Sequence, residues 1–251
     1  MVRGLDTFRE YFRQHTDSYL LIGGTACDVL FREAGLEFRA TKDLDIVLCV
    51  EALDTLFVRT LWDFIKAGEY GQKQQERAGR QYYRFRQPAS AAFPSMLELF
   101  SRQPDALSPT GGSHLTPIPV EGDMSSLSAI LLDADYYRFL INGRRLVDGI
   151  AVVGPERLIP LKARAWLDMS ERRSKGESMA SRDIRKHRND VFRLYNILDP
   201  RPLHSVPRQI QADLDVFLTK QAAGETNLKA LGLGGTTFKE IVDGIRRVFG
   251  L

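Results

Sequence analysis

The chain has 251 residues, 43% of them hydrophobic and 27% charged, which suits one large domain or a core domain with an appendage and excludes a disulfide-stapled peptide or a disordered polymer. The net charge of +3 is too small to imply a nucleic-acid ligand by itself, yet residues 160–200 hold ten Lys/Arg against six Asp/Glu, so the basic surplus is local. Cys27 and Cys49 fall in segments that read as buried helix and strand, where small apolar thiols are ordinary, so free thiols in a reducing compartment are expected. The start alternates charge with apolar residues and offers no signal-peptide core, and no run of about 18 apolar residues follows. A cytoplasmic protein with no membrane partner is the expectation.

Leu5, Phe8 and Phe12 recur at helical spacing and predict an opening helix that ends near Asp17-Ser18. Tyr19-Leu20-Leu21-Ile22 reads as a short buried strand, Gly23-Gly24 as a turn, and Thr25 as the cap of a helix that runs to about Glu33 and is stopped by Gly35. Leu44 to Val50 is β-rich, Leu53 to Ala67 returns to helical spacing, and Tyr82-Tyr83-Arg84-Phe85 and Met96 to Phe100 read as further strands. Residues 104–128 shift to Pro, Gly, Ser and Thr, as in a long loop or a peripheral hairpin. Ala129 to Ala134 and Arg145 to Val153 could add strands. Beyond Gly154-Pro155 the pattern is helical, near 156–174, 181–198, 206–222 and 236–249. The fold class expected is α/β of the α+β kind: a mixed sheet flanked by helices in residues 1–153, then an α-helical domain in residues 154–251.

The strongest local feature is Asp43-Leu44-Asp45 leading into Ile46-Val47-Leu48. Strand alternation projects Asp43 and Asp45 to the same side, where two carboxylates repel unless a cation lies between them, and an oxygen-rich acidic pair suits Mg²⁺. The plainer alternative is a loop-capping Asp43 with Asp45 on a solvated edge. Upstream, with 18 residues between Gly24 and Asp43, the glycine turn opens a helix whose N–H groups could approach phosphate oxygens. Phosphates plus a metal point to a nucleotide, although neither a P-loop nor a dinucleotide fingerprint is present. Glu98 lies in phase with Met96 and Phe100 in an otherwise apolar strand, which fits a third ligand or base, a paired structural glutamate, or an exposed edge residue.

Two stretches of the helical half carry charge in telling places. Lys162 falls in the middle of an apolar helix face made by Leu158, Leu161, Ala165, Trp166 and Met169, so its ammonium must snorkel to water, pair with an acid or reach an anion. On the next helix Asp183, His187 and Asp190 sit at the border of an apolar and a basic face, where they could line a cleft or simply decorate a charged helix. His15, His114 and His204 have no Cys or His at ligand spacing, which argues against zinc, and a Ser-His-Asp hydrolase lacks its G-x-S-x-G elbow. RNA contact is a secondary reading of the Arg/Lys-rich region with Tyr82 and Tyr83.

Leu21-Ile22-Gly23-Gly24-Thr25-Ala26, followed by Arg39-x-Thr41-x-Asp43-Leu44-Asp45, resembles the polymerase-β-type nucleotidyltransferase superfamily, and within it the AbiEii-like abortive-infection toxin family. The resemblance extends from about Tyr19 to Leu198. It implies that Gly23, Gly24 and Thr25 seat the triphosphate of an NTP, that Asp43 and Asp45 bind Mg²⁺ (or Mn²⁺), and that Glu98 is the third acid. It also implies a phosphate or catalytic contact for Lys162 and a catalytic role for Asp190 in Asn189-Asp190-Val191-Phe192-Arg193-Leu194, with Arg39 and Thr41 bracing the acidic strand. The activity implied is transfer of NMP from an NTP to a tRNA or protein acceptor with loss of pyrophosphate, beside a cognate antitoxin protein. Two other readings keep the same fold: a catalytically lapsed nucleotide- or RNA-binding protein, and a transferase acting on a small molecule.

Overall fold

The computed structural model describes residues 2–71, 82–101, 130–221 and 227–251, so the Pro/Gly-rich insert expected at 104–128, with His114, lies outside the described residues. The protein is α+β, and its chain divides into two compact units. The first comprises Met1–Ser128 and Arg144–Val153, the second Ala129–Gly143 and Gly154–Leu251. The expected boundary at 153/154 coincides with a boundary between units, and Ala129–Gly143 belongs with the helical unit.

The first unit is built on a six-stranded mixed sheet of order β3-β4-β2-β1-β6-β5. Its strands are β1 (Tyr19–Ile22), β2 (Asp43–Leu48), β3 (Tyr82–Arg86), β4 (Met96–Phe100), β5 (Arg144–Val147) and β6 (Ile150–Val153). β2 runs antiparallel to β1 and parallel to β4, β3 is antiparallel to β4, and β6 is parallel to β1. Helices α1 (Leu5–Phe12), α2 (Gly23–Glu33) and α3 (Thr55–Ala67) complete it. Register assigns the faces, because residues opposite one another in a ladder share a side and successive residues alternate. Tyr19, Leu44, Phe85 and Leu97 fall on one face. There Tyr19 meets Phe8 of α1 edge-on at 5.1 Å and Phe85 meets Trp62 of α3 at 6.0 Å, within a cluster that also holds Phe12 and Phe64. Asp43, Asp45, Arg84 and Glu98 fall on the other face.

The second unit is helical: α4 (Ala134–Ile141), α5 (Pro155–Ser174), α6 (Ser181–Leu194), α7 (Arg208–Gln221) and α8 (Phe238–Phe249). Pro155 opens α5, where its fixed φ suits the first helical position. A capping box of Thr237 with Glu240 starts α8, so Gly234-Gly235-Thr236 is simply the turn before it. Trp166 and Phe192 pack on Phe217 at 5.3 and 6.0 Å to form the core.

Three sequence expectations are corrected. The opening helix ends at Phe12, several residues before Asp17. Residues 130–132 are helical and α4 follows, where a strand was expected from Ala129 to Ala134. Asp133 decides this locally, because its carboxylate accepts from the N–H groups of Asp135 at 2.8 Å and Tyr136 at 3.1 Å and so caps α4. Finally α2 begins at Gly23, with Ile22 rather than Thr25 in the capping position. Among the described residues no helix is long and apolar enough to cross a membrane.

Both cysteines are buried thiols. Burial pushes the Cys49 thiol up to about 12, opposed in part by Arg144. Burial likewise pushes the Tyr19 hydroxyl up to about 12, opposed by the hydrogen bond it accepts from the Ala151 N–H. An unfolded chain ionises these groups near 9.0 and 10.0, so the stability they contribute is full below those values and lost as the pH climbs toward the folded ones. The melting temperature should therefore fall between about pH 9 and pH 11, and Cys49→Ala should shallow that slope. Equal melting temperatures across the interval would contradict this.

Candidate functional site

The candidate site is assembled along a row of register partners. Arg84 of β3 lies opposite Glu98 of β4, Glu98 opposite Asp45 of β2, and Asp45 opposite Ile22, the last residue of β1. Asp43 is two residues before Asp45 and shares its face, opposite Met96. Leu44 between them is fully buried while both aspartates are half-buried, so the acidic pair stands at the border of core and surface. Glu98 is 7% exposed, and its Oε1 receives the Arg84 Nε at 2.5 Å.

The glycine turn meets this row directly. Gly23 has φ +66, a left-handed conformation that favours glycine, and a Cβ placed there would lie 1.7 Å from Asp45 Oδ2. The Asp45 carboxylate thus rests against bare backbone at the start of α2, where the first N–H groups have no intrahelical acceptor and the helix dipole favours negative charge. A Cβ at Gly24 would fall 2.5 Å from Thr41 Oγ1 and 3.7 Å from Arg39 Nη2. The Arg-x-Thr positions therefore lie beside the glycine turn as well as leading into the acidic strand. Thr25 is fully buried and its hydroxyl donates to the Asp43 carbonyl at 2.7 Å, so its side chain ties α2 to β2.

Lys162 and Asp190 come together in the helical unit. The Lys162 ammonium neither snorkels nor lies open to solvent: its Nζ meets Asp190 Oδ2 at 3.0 Å, with side chains 2% and 0% exposed. Arg193 Nη1 adds a longer contact to Asp190 Oδ1 at 3.6 Å. Asp190 is therefore a core residue, whereas Asp183 and His187 are half-buried on the same helix. Of the alternatives open for Lys162, pairing with an acid is the one the structure adopts.

The three acids expected to hold metal share one face, but they do not stand as a finished ligand set. Among the described residues no group of three His, Cys, Asp or Glu side chains is poised to hold a metal ion. The Glu98 carboxylate is engaged by Arg84. Asp43 and Asp45 still suit a small hard cation by donor chemistry, because Mg²⁺ is commonly held by one or two carboxylates with substrate phosphates completing its shell. Arg84 is the site residue that sequence reading passed over. Its position between Tyr83 and Phe85, in phase with the only acid of the neighbouring strand, was the available signal.

Compared with known proteins, no family model and no curated sequence matches the chain.

Two substitutions check this geometry. Gly23→Ala forces a Cβ into Asp45 at an unfavourable φ and should destabilise the protein by about 2 kcal/mol or more in urea unfolding. Gly35→Ala, which also has positive φ but meets no atom within 4 Å, should be milder. Removing one member of the buried pair, by Lys162→Ala or Asp190→Asn, should cost about 3–5 kcal/mol, and Lys162→Met with Asp190→Leu should recover much of it. Single variants as stable as wild type would show that the pair is not buried as described.

Proposed function

We propose that the protein is a metal-dependent nucleotidyltransferase of toxin type, moving NMP from an NTP to an RNA, such as tRNA, or to a protein acceptor and releasing pyrophosphate. The observation that carries this reading is the approach of Asp45 to Gly23, which sets a carboxylate of the acidic strand against the glycine-opened N-terminus of α2. Carboxylates favour a divalent cation and helix N–H groups favour phosphate oxygens, and a metal-bound nucleotide supplies both at once. The motif resemblance from Leu21 to Asp45 supports the same reading.

In this proposal Asp43 and Asp45 would hold Mg²⁺, or Mn²⁺ in its place, which neutralises the phosphate oxygens and the departing pyrophosphate. Gly23 and Gly24, packed against Asp45 and Thr41, let the start of α2 come close to the acidic strand, and the N–H groups of its first turn would meet the triphosphate. The acceptor hydroxyl oxygen bonds the α-phosphorus while the bond from that phosphorus to the bridging oxygen breaks. Pyrophosphate leaves with the electron pair, and the hydroxyl proton passes to a carboxylate, a role that this reading gives to Glu98. Lys162 and Asp190, for which the resemblance implied direct roles, enter this reading as the pair that fixes α5 to α6. A cognate antitoxin protein belongs to the proposal through the resemblance alone.

A second reading, a catalytically lapsed nucleotide or RNA binder, draws on the engagement of Glu98 by Arg84. Transfer of label from each of four α-³²P-NTPs in a cell extract with Mg²⁺ separates the two. The transferase reading expects label in RNA or protein with wild type and a loss of at least about a hundredfold in Asp45→Asn, at unchanged fold. NTP binding without transfer would favour the lapsed binder, and label in small molecules would move the acceptor to that class.

A further inference from the structure

Five charged side chains lie on one face of three adjacent strands: Asp43 and Asp45 on β2, Glu98 on β4, and Arg84 and Arg86 on β3, with Glu98 between Arg84 and Asp45 in register. Three carboxylates on one face repel, and a carboxylate as buried as Glu98 loses hydration that a charged partner can replace. Arg84 is that partner, from the strand opposite. Its guanidinium is itself largely buried, the two side chains being 16% and 9% exposed, so little water screens the pair. The neighbouring arginine of β3 differs: Arg86 is exposed, lies opposite Met96 rather than an acid, and its Nε meets the Met96 sulfur at 3.2 Å. Position, burial and partner together single out Arg84.

We propose that Arg84 is a positioning residue that occupies Glu98 until a cation arrives at Asp43 and Asp45, whereupon the Glu98 carboxylate exchanges its guanidinium partner for the cation. This rests on the reading of Asp43 and Asp45 as cation ligands. Arg84 opposes the cation twice, by its own charge and by holding back a carboxylate that would otherwise face it. The free protein consequently binds a bare divalent cation weakly, and a nucleotide that brings further oxygens tips the exchange. No group is consumed in the exchange, and Arg84 returns to Glu98 when the cation leaves.

The test is Mn²⁺ binding to the intact chain without nucleotide, followed by electron paramagnetic resonance of the free ion, with melting temperature recorded for each variant. Arg84→Gln should bind Mn²⁺ about tenfold more tightly than wild type, Arg84→Lys should stay near wild type, and Arg86→Gln should change affinity less than twofold. Glu98→Gln should weaken binding about tenfold, and it decides the matter even if Arg84→Gln does not fold. A merely structural Arg84 would lower the melting temperature and leave Mn²⁺ affinity unmoved. Asp45→Asn abolishing binding while Arg84→Gln and Glu98→Gln leave it unchanged overturns the exchange and spares the proposed function. Equal tightening by Arg84→Gln and Arg86→Gln overturns it in favour of a general charge effect. Equal Mn²⁺ binding by wild type and Asp45→Asn overturns the cation reading and this inference together.

Discussion

Carboxylates gathered on one sheet face need compensation, and the organisation of the first unit follows from how each is answered. Asp45 rests against Gly23, where no side chain intrudes and the dipole of α2 is positive. Glu98 is answered by Arg84 across the ladder. The backbone of Asp43 is held by the hydroxyl of Thr25. Two of these contacts come from α2 and one from β3, so the acidic strand, the glycine turn and the edge strand β3 are mutually positioned. The opposite face of the sheet carries no such tension, since the aromatic side chains of α1 and α3 bury it.

The helical unit solves the same problem in its own core. Lys162 and Asp190 neutralise each other with almost no exposure. Tyr136 donates to Asp213 at 2.9 Å, and Arg164 reaches the other oxygen of that carboxylate at 3.1 Å. Buried pairs of this kind add little net stability over apolar packing, but breaking one leaves a charge stranded. They act chiefly to fix which helix faces which.

Much of this was legible in the sequence, and the reasons differ by residue. Met96 to Phe100 and the helices from Pro155 onward follow strong periodicity, which tertiary context has little freedom to override. The shared face of Asp43 and Asp45 follows from alternation alone. Residues 130–132 were read as strand because Ile130-Leu131-Leu132 is a short apolar run, whose period does not separate strand from helix, and Asp133 then caps α4 beyond it. Thr25 was misread as a cap because glycine at positive φ let the helix start two residues earlier. The Arg84–Glu98 and Lys162–Asp190 pairs needed three-dimensional partners: sequence exposed the anomaly of a charge on an apolar face but not its answer.

The central claim is that Asp43, Asp45 and the Gly23-Gly24 turn form one site for a metal-bound nucleotide. The most direct measurement is the anomalous difference map of a crystal grown with Mn²⁺ and a non-hydrolysable NTP analogue. The account predicts a manganese peak between the Asp43 and Asp45 carboxylates, with phosphate density at the first turn of α2. Nucleotide and manganese bound together at another place on the protein, with this face empty, would contradict it.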